Sequence, residues 1–342
     1  MTTYVAILTP PARSTKIPSP KDRPIGKVAE ELSADGIIAV FGNTLYRQSG
    51  KLLMDGLSVQ NGKWITLNKV PIHAIHDRYP SQIRWQSYND MMTAKQDTPM
   101  GNPFSITMLC RDKIKTQRLL EEYNVPMPPV VSEFTEFQKK LGKWNTAYLK
   151  PQFGALGQSV SKVTKNSQLT TVLPSVVPGK SDPAILQRAV LPPTGWAGLS
   201  VRILVQRTAL SDWVLRPAVL RRSKTDPVVN AARGAEVLPA ADALPQFTMT
   251  KIKEYAQQTA IALSQTHDGQ WAVEFGLDLV IDEHYSPWVI EVNSRPRGRL
   301  EALAKLAPRR FAQQHKEACA QPIRFMATAY DCLPTSFNQD PR

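Results

Sequence analysis

Two apolar runs in the C-terminal third of the chain carry polar side chains that a strand would bury. EFGLDLVI, residues 274–281, holds Glu274 and Asp278, and WVIEVN, residues 288–293, holds Glu291 and Asn293. Strand alternation puts Phe275, Leu277, Leu279 and Ile281 on one face and Glu274, Gly276 and Asp278 on the other. In the second run Trp288, Ile290 and Val292 oppose Val289, Glu291 and Asn293. If the six residues DEHYSP, 282–287, close a symmetric hairpin, Asp278 lies directly opposite Glu291, where like charges repel. Burying that pair uncompensated is costly. A hard divalent cation such as magnesium, which takes carboxylate and amide oxygens, would compensate it through Asp278, Glu291 and Asn293. A solvent-facing hairpin without metal fits the same pattern. In this register Glu274 lies opposite position 295, so a salt bridge to Arg295 is expected.

Three further constellations carry cations. In AYLKPQFGALGQSV, residues 147–160, a lysine leaves a strand before a small-residue turn. Lys150, Gly154 and Gly157 thus offer what a phosphate clamp requires, a cation and closely approachable backbone N–H groups, although a plain hairpin reads the same way. Lys113, in RDKIKTQRLL, is by itself an ordinary solvated lysine on a helix. Arg202 sits inside an apolar strand; Arg216 and Arg222, with Asn230, Arg233 and Gly234 of NAARGAE, follow it. Guanidinium forks suit carboxylate and phosphate oxygens, whereas Arg221 and Lys224 read as surface charge.

The elements that must position these groups are mostly strands. VAIL (5–8) and 36–41 are expected strands, with a helix over 25–33 between them after a loop of five prolines. Asn61-Gly62 marks a hairpin over 57–67, and another strand is expected within 71–80. A helix over 111–123 precedes strands at 146–151, 159–163 and 184–190. A hairpin of 199–206 with 213–220 follows, interrupted near Pro217. A helix over 251–266 turns Ile252, Tyr255, Thr259 and Leu263 to one face.

Length and composition bound the rest. The 342 residues suggest two or three domains. Three scattered cysteines give neither a disulfide framework nor a zinc pattern. The apolar stretch before Pro10 is too short for a signal peptide, and no run reaches a membrane span, so a cytoplasmic protein is expected. A net charge of +13 points to anionic partners. Eight basic residues against two Glu over 295–324 leave nucleic acid as one of them.

Taken in order, DKIKT, LKP with its small-residue loop, LQRAV, NAARG, GLD and IEVN resemble the ATP-grasp superfamily. KLLMDGLSVQNGKWITL with IHDRYPS resembles its YheC/YheD-type branch, and IEVNSRP with NAARG is similar to glutamyl and peptide ligases. The resemblance covers most of residues 36–300. It implies an α/β (α+β) chain with a pre-ATP-grasp α/β domain over 1–105, a central lobe over 106–190 and a C-terminal lobe over 191–342, the two β-rich lobes clamping ATP.

By the same resemblance Lys113 and Lys150 hold the phosphates, and Gln187, Arg188, Ala189 and Val190 meet the adenine. Asp278, Glu291 and Asn293 bind magnesium or manganese. Arg222, Arg233 and Arg202 are the implied catalytic cations. Arg78, Arg216, Asn230, Gly234, Arg295 and Arg297 are substrate candidates. The implied activity is ATP-dependent amide formation from an anionic small-molecule or peptide carboxylate and an amine through an acyl phosphate. A kinase of the same fold and a non-catalytic nucleic-acid-binding relative are the alternatives, and a dimer is compatible with all three. The chain departs from the family pattern at Ser200-Val201-Arg202, at Arg188, and in having no carboxylate between Asp182 and Asp212 for the ribose.

Overall fold

The computed structural model describes residues 2–9, 24–78, 86–153, 159–177, 183–229, 234–296 and 300–329. Gly154, Gly157, Asn230, Arg233 and Arg297 lie outside the described residues. Three sheets follow one another along the chain.

The first is seven-stranded: β1 (Thr3–Leu8), β2 (Ile37–Gly42), β3 (Leu45–Gln48), β4 (Lys51–Gln60), β5 (Lys63–Pro71), β6 (Ala74–Asp77) and β7 (Met100–Gly101). β1 lies parallel to both β2 and β6, and its inner residues Val5 to Leu8 are buried on both faces, as a parallel strand requires. β4 and β5 turn at Asn61 and Gly62, whose φ values of 48° and 70° are the left-handed pair that a two-residue hairpin demands. Two short helices, α1 (Pro24–Lys27) and α2 (Ala29–Ala34), replace the single helix expected over 25–33. α3 (Gln86–Lys95) packs Met91 on the opposite face of the sheet.

α4 (Phe104–Arg111) and α5 (Lys113–Glu122) lead to the four-stranded sheet: β8 (Val130–Val131), β9 (Thr146–Pro151), β10 (Ser161–Thr164) and β11 (Ala184–Arg188). α6 (Phe134–Trp144) and α7 (Leu169–Val176) cover one face, burying Ala147, Leu149 and Leu186. Alternation therefore turns Lys150 and Gln187 to the other face.

The third sheet contains β12 (Gly198–Arg207), β13 (Trp213–Leu215), β14 (Val219–Ser223), β15 (Glu236–Pro239), β16 (Glu274–Ile281) and β17 (Pro287–Asn293). β13 and β14 both pair with β12, and the break between them holds Pro217, which cannot donate to the ladder. α8 (Gln246–Ser264) packs Ile252, Ala256 and Leu263 against Val201, Ile203, Phe275, Leu277 and Leu279. Ser200, Arg202, Gln206, Arg221, Glu274 and Asp278 consequently share the face away from α8.

α9 (Glu301–Leu306) and α10 (Pro308–Ala329) complete the described chain. α10 returns to the first sheet and buries Cys319, Ile323, Phe325 and Met326 with Val5, Ile7 and Phe41. The basic run of 295–324 is thereby partly an amphipathic helix. Its Lys316 and Arg324 pair with Glu31 and Asp35 of the first sheet's helical cover, both at 2.9 Å.

Candidate functional site

The face of the third sheet away from α8 carries a row of charges fixed by strand register. Arg202 of β12 pairs with Asp278 of β16, and Asp278 pairs with Glu291 of β17. The opposition of the two carboxylates holds as expected, but by a different route. The turn sets Ile281 against Pro287, one residue out of the symmetric register, and a bulge between Leu279 and Asp278 leaves Ile290 without a partner and restores it. The bulge also overturns the expected facing of the outer part of β17. Val289 and Val292 both enter the core, so Val289 does not share a face with Glu291. Gly276, between Glu274 and Asp278, is closed over by the loop after β17: a Cβ there would lie 2.9 Å from the Pro296 side chain.

Asp278 is saturated with donors. Arg202 donates through Nε at 2.8 Å to Oδ1 and through Nη2 to Oδ2; Asn293 Nδ2 donates to Oδ2 at 3.1 Å, and Arg221 Nη2 lies 3.5 Å from Oδ1. Burial alone would raise the Asp278 carboxyl, but Arg202 and then Arg221 hold it below the usual carboxylate range. Glu291 is half-buried and accepts no side-chain hydrogen bond among the described residues. Burial and then Asp278 push its carboxyl up, against the pull of Lys113, Lys150 and Arg202.

The cations across from this row come from the four-stranded sheet and from α5. Lys150, buried, donates to Gln187 Oε1 at 2.6 Å. Burial, reinforced by the neighbouring Lys113, brings its ammonium down to about 7. Lys113 is the first residue of α5, not a mid-helix surface lysine, and its Nζ donates to the carbonyls of Pro151 and Gln152 at 3.1 and 3.2 Å. Asp112 caps α5 by accepting from the N–H groups of Ile114 and Lys115, and it also accepts from Gln152 Nε2 at 2.9 Å. The cap thus ties Lys113 to the exit of β9.

These groups fit a metal–nucleotide pair. Two buried lysines side by side favour an anionic ligand such as a polyphosphate. Glu291, the Asn293 amide oxygen and Asp278 are hard oxygen donors. Among the described residues no group of three His, Cys, Asp or Glu side chains could hold an ion by itself, so an ion here needs the amide and ligand oxygens as well.

Other expected site residues go elsewhere. Arg222 faces the opposite side of β14 from Asp278, forms a bidentate pair with Glu236 at 2.7 and 2.9 Å, and stacks on Trp196. Its neighbour Arg221, read from sequence as surface charge, takes the central position, because adjacent strand residues face opposite ways. Arg216 bonds Gln206 at 2.8 Å and Glu317 of α10 at 3.3 Å. Gly234 occupies an exposed turn at φ 78°. The segment expected to meet the adenine already uses two of its N–H groups within the protein. The N–H groups of Arg188 and Ala189 already donate to Pro129 O and Thr146 O, and the Arg188 guanidinium lies over the Trp288 ring, 5.4 Å from its centroid. Val190 lies two residues beyond the end of β11, outside the strand expected over 184–190.

A buried polar seam joins the first sheet to the third. Glu274 pairs with Arg78 at 3.2 Å and accepts from Gln206 at 2.9 Å, while Arg295 reaches Asp77 and lies 3.2 Å from the Tyr88 hydroxyl. The cation set against Glu274 is therefore Arg78, from 196 residues upstream. Asn102 donates to the carbonyls of Glu274 and Ser294 at 2.6 and 2.7 Å and accepts from the Val273 N–H at 2.6 Å. Asp77, Tyr88 and Asn102 carry no local sequence signal; only the docking of the sheets reveals them.

Residues 167–327 match the family model described as YheC/D like ATP-grasp. The fold is similar to D-alanyl-alanine synthetase A from Vibrio cholerae O1 biovar eltor, with 11% identity, a TM-score of 0.60 and 94% of this chain covering 98% of that one. It is also similar to VanG D-Ala:D-Ser ligase from Enterococcus faecalis, at 10% identity and a TM-score of 0.60, covering 95% of this chain and 100% of that one. A third similar structure is the RiPP-associated ATP-grasp ligase of Chryseobacterium gregarium in complex with ADP and a leader and core peptide, at 14% identity and a TM-score of 0.57, covering 98% of each chain. No curated protein gives a significant sequence match. Among the described residues no helix is long and apolar enough to cross a membrane. The three-sheet α/β architecture and these fold relatives give the chain an ATP-grasp fold, within which residues 167–327 match the YheC/D-like ATP-grasp family model.

Proposed function

We propose that the chain is an ATP-dependent ligase that joins a carboxylate to an amine, releasing ADP and phosphate. The observation that supports this best is the row Arg202–Asp278–Glu291 facing the buried pair Lys113 and Lys150. The ligases to which the fold is similar, one of them in complex with peptides, favour a peptide-like product.

When bound, magnesium–ATP supplies the phosphoryl group that turns the substrate carboxylate into an acyl phosphate. Lys113 and Lys150 would hold the polyphosphate oxygens, and Glu291, Asn293 and Asp278 would hold the cation. Phosphoryl transfer needs charge neutralisation and alignment more than covalent help, and fixed lysines and arginines in a half-buried cleft supply both. The amine then attacks the acyl carbon, phosphate leaves, and the amine loses a proton. Four cations (Lys113, Lys150, Arg202, Arg221) stand against two carboxylates (Asp278, Glu291), which favours an anionic acid.

The test is ADP release from ATP with candidate acids and amines, together with hydroxylamine in place of the amine. A trapped hydroxamate supports the ligase. A phosphorylated product that hydroxylamine does not intercept would make the enzyme a kinase, and failure to bind magnesium–ATP would sink both readings.

A further inference from the structure

An ionised carboxylate offers about four in-plane lone-pair positions, and at Asp278 each has a donor. Arg202 takes one on each oxygen, Asn293 Nδ2 a second on Oδ2, and Arg221 Nη2 a second on Oδ1. A cation can reach Asp278 only where a donor leaves. The four are not equally held. Arg202 is bidentate and in register with Asp278, whereas Arg221 makes a single contact at 3.5 Å. The Arg221 side chain is only 13% exposed, so a guanidinium with five N–H donors sits in the sheet face with one long ion pair. Glu291, facing Asp278, meets no side-chain donor among the described residues.

We infer that Arg221 is a positioning residue that competes with the divalent cation for Asp278 and is released toward the substrate anion when the cation takes Oδ1. The inference rests on the metal–nucleotide reading of this face. Glu291 and the Asn293 oxygen receive the ion first. Arg221 then leaves Asp278 and its donors turn to the acid substrate, so loading of the cation prepares the anion site. No bond is made or broken in the exchange; one electrostatic partner replaces another.

The exchange predicts an unusual sign: deleting a site arginine tightens metal binding. Removing a unit charge about 6 Å from a divalent ion, at water-like dielectric and with salt screening, alters affinity by about three- to tenfold. The experiment measures Mn2+ binding to the full chain by electron paramagnetic resonance, without nucleotide and with a non-hydrolysable ATP analogue. Arg221→Met and Arg221→Gln are expected to bind Mn2+ alone about three- to tenfold more tightly than the parent chain. Arg221→Lys and the surface control Lys224→Met should match the parent. Unchanged or weaker binding in both Arg221→Met and Arg221→Gln would overturn the exchange, as would equal tightening in Lys224→Met. Failure of every form to bind Mn2+ even with the analogue would overturn the metal–nucleotide reading itself.

Discussion

Asp278 and Glu291 stand directly opposite each other across the β16–β17 ladder, the first held by two guanidinium groups and the second by none among the described residues. Directly opposed like charges destabilise a ladder, and burial of Glu291 adds to the penalty. The opposition by itself costs stability, and under the proposed function a cation held by Glu291 and Asn293 would offset that cost.

Replacing Glu291 by Gln should therefore raise the stability of the ligand-free chain by up to about 1 kcal/mol while abolishing protection by manganese and nucleotide. Thermal unfolding with and without the ligands measures both. A variant still protected as strongly as the parent would show that Glu291 is no ligand.

Under the proposed function Lys150 should make nucleotide binding pH-dependent. Its ammonium titrates near 7 because burial, and then Lys113, disfavour the charged form. Polyphosphate reverses that by favouring the proton, so binding above pH 7 should take up as much as one proton, with none near pH 5.5. Affinity should weaken as pH rises through 7 to 9. Calorimetry in buffers of different ionisation enthalpy reads the uptake, which Lys150→Met should eliminate. The same group bears on folding: the unfolded lysine, near 10.5, keeps its proton where the folded one has lost it. Its contribution to stability thus improves as pH rises from about 7 toward 10.5.

Arg202 and Asp278 are a mostly buried, bidentate pair with side-chain exposures of 27% and 11%. Arg202→Met strands the carboxylate beside Glu291 with only Arg221 and the Asn293 amide and should cost about 3 kcal/mol in urea unfolding. Adding Asp278→Leu should restore at least half of that, since removing both partners leaves no orphaned charge. Additive losses would indicate that the two residues do not act as a pair.

Asn102 fastens the end of α8's connection to the loop after β17. Asn102→Ala would leave the carbonyls of Glu274 and Ser294 and the N–H of Val273 short of a buried partner. A loss of about 3 kcal/mol is expected, measurable by chemical denaturation; a change below about 0.5 kcal/mol would mean that water replaces the amide.

Much of the third sheet was legible from residue order. The alternation in EFGLDLVI identified its apolar face correctly, and the spacing of Ile252, Thr259 and Leu263 found the helix that covers it, because apolar side chains from both elements meet in one layer; that the polar face is buried as well was not legible. Register over a short turn was legible only in part. The opposition of Asp278 and Glu291 came out right although the turn is offset by one residue, since the bulge at Ile290 cancels the offset and no sequence pattern announces it.

What sequence determined by itself was the set of chemical groups: two carboxylates and an amide in strand-like runs, one lysine at a strand end and another in a helical segment, and arginines in apolar strands. Tertiary structure decided which of them meet. It put Arg221 beside Asp278 and turned Arg222 to Glu236, because the choice between adjacent residues depends on which face of β14 is covered. It also brought Arg78 to Glu274 and Asp77 to Arg295 across some two hundred residues. Such long-range pairings follow from how sheets dock over a shared core, and local periodicity carries no information about that.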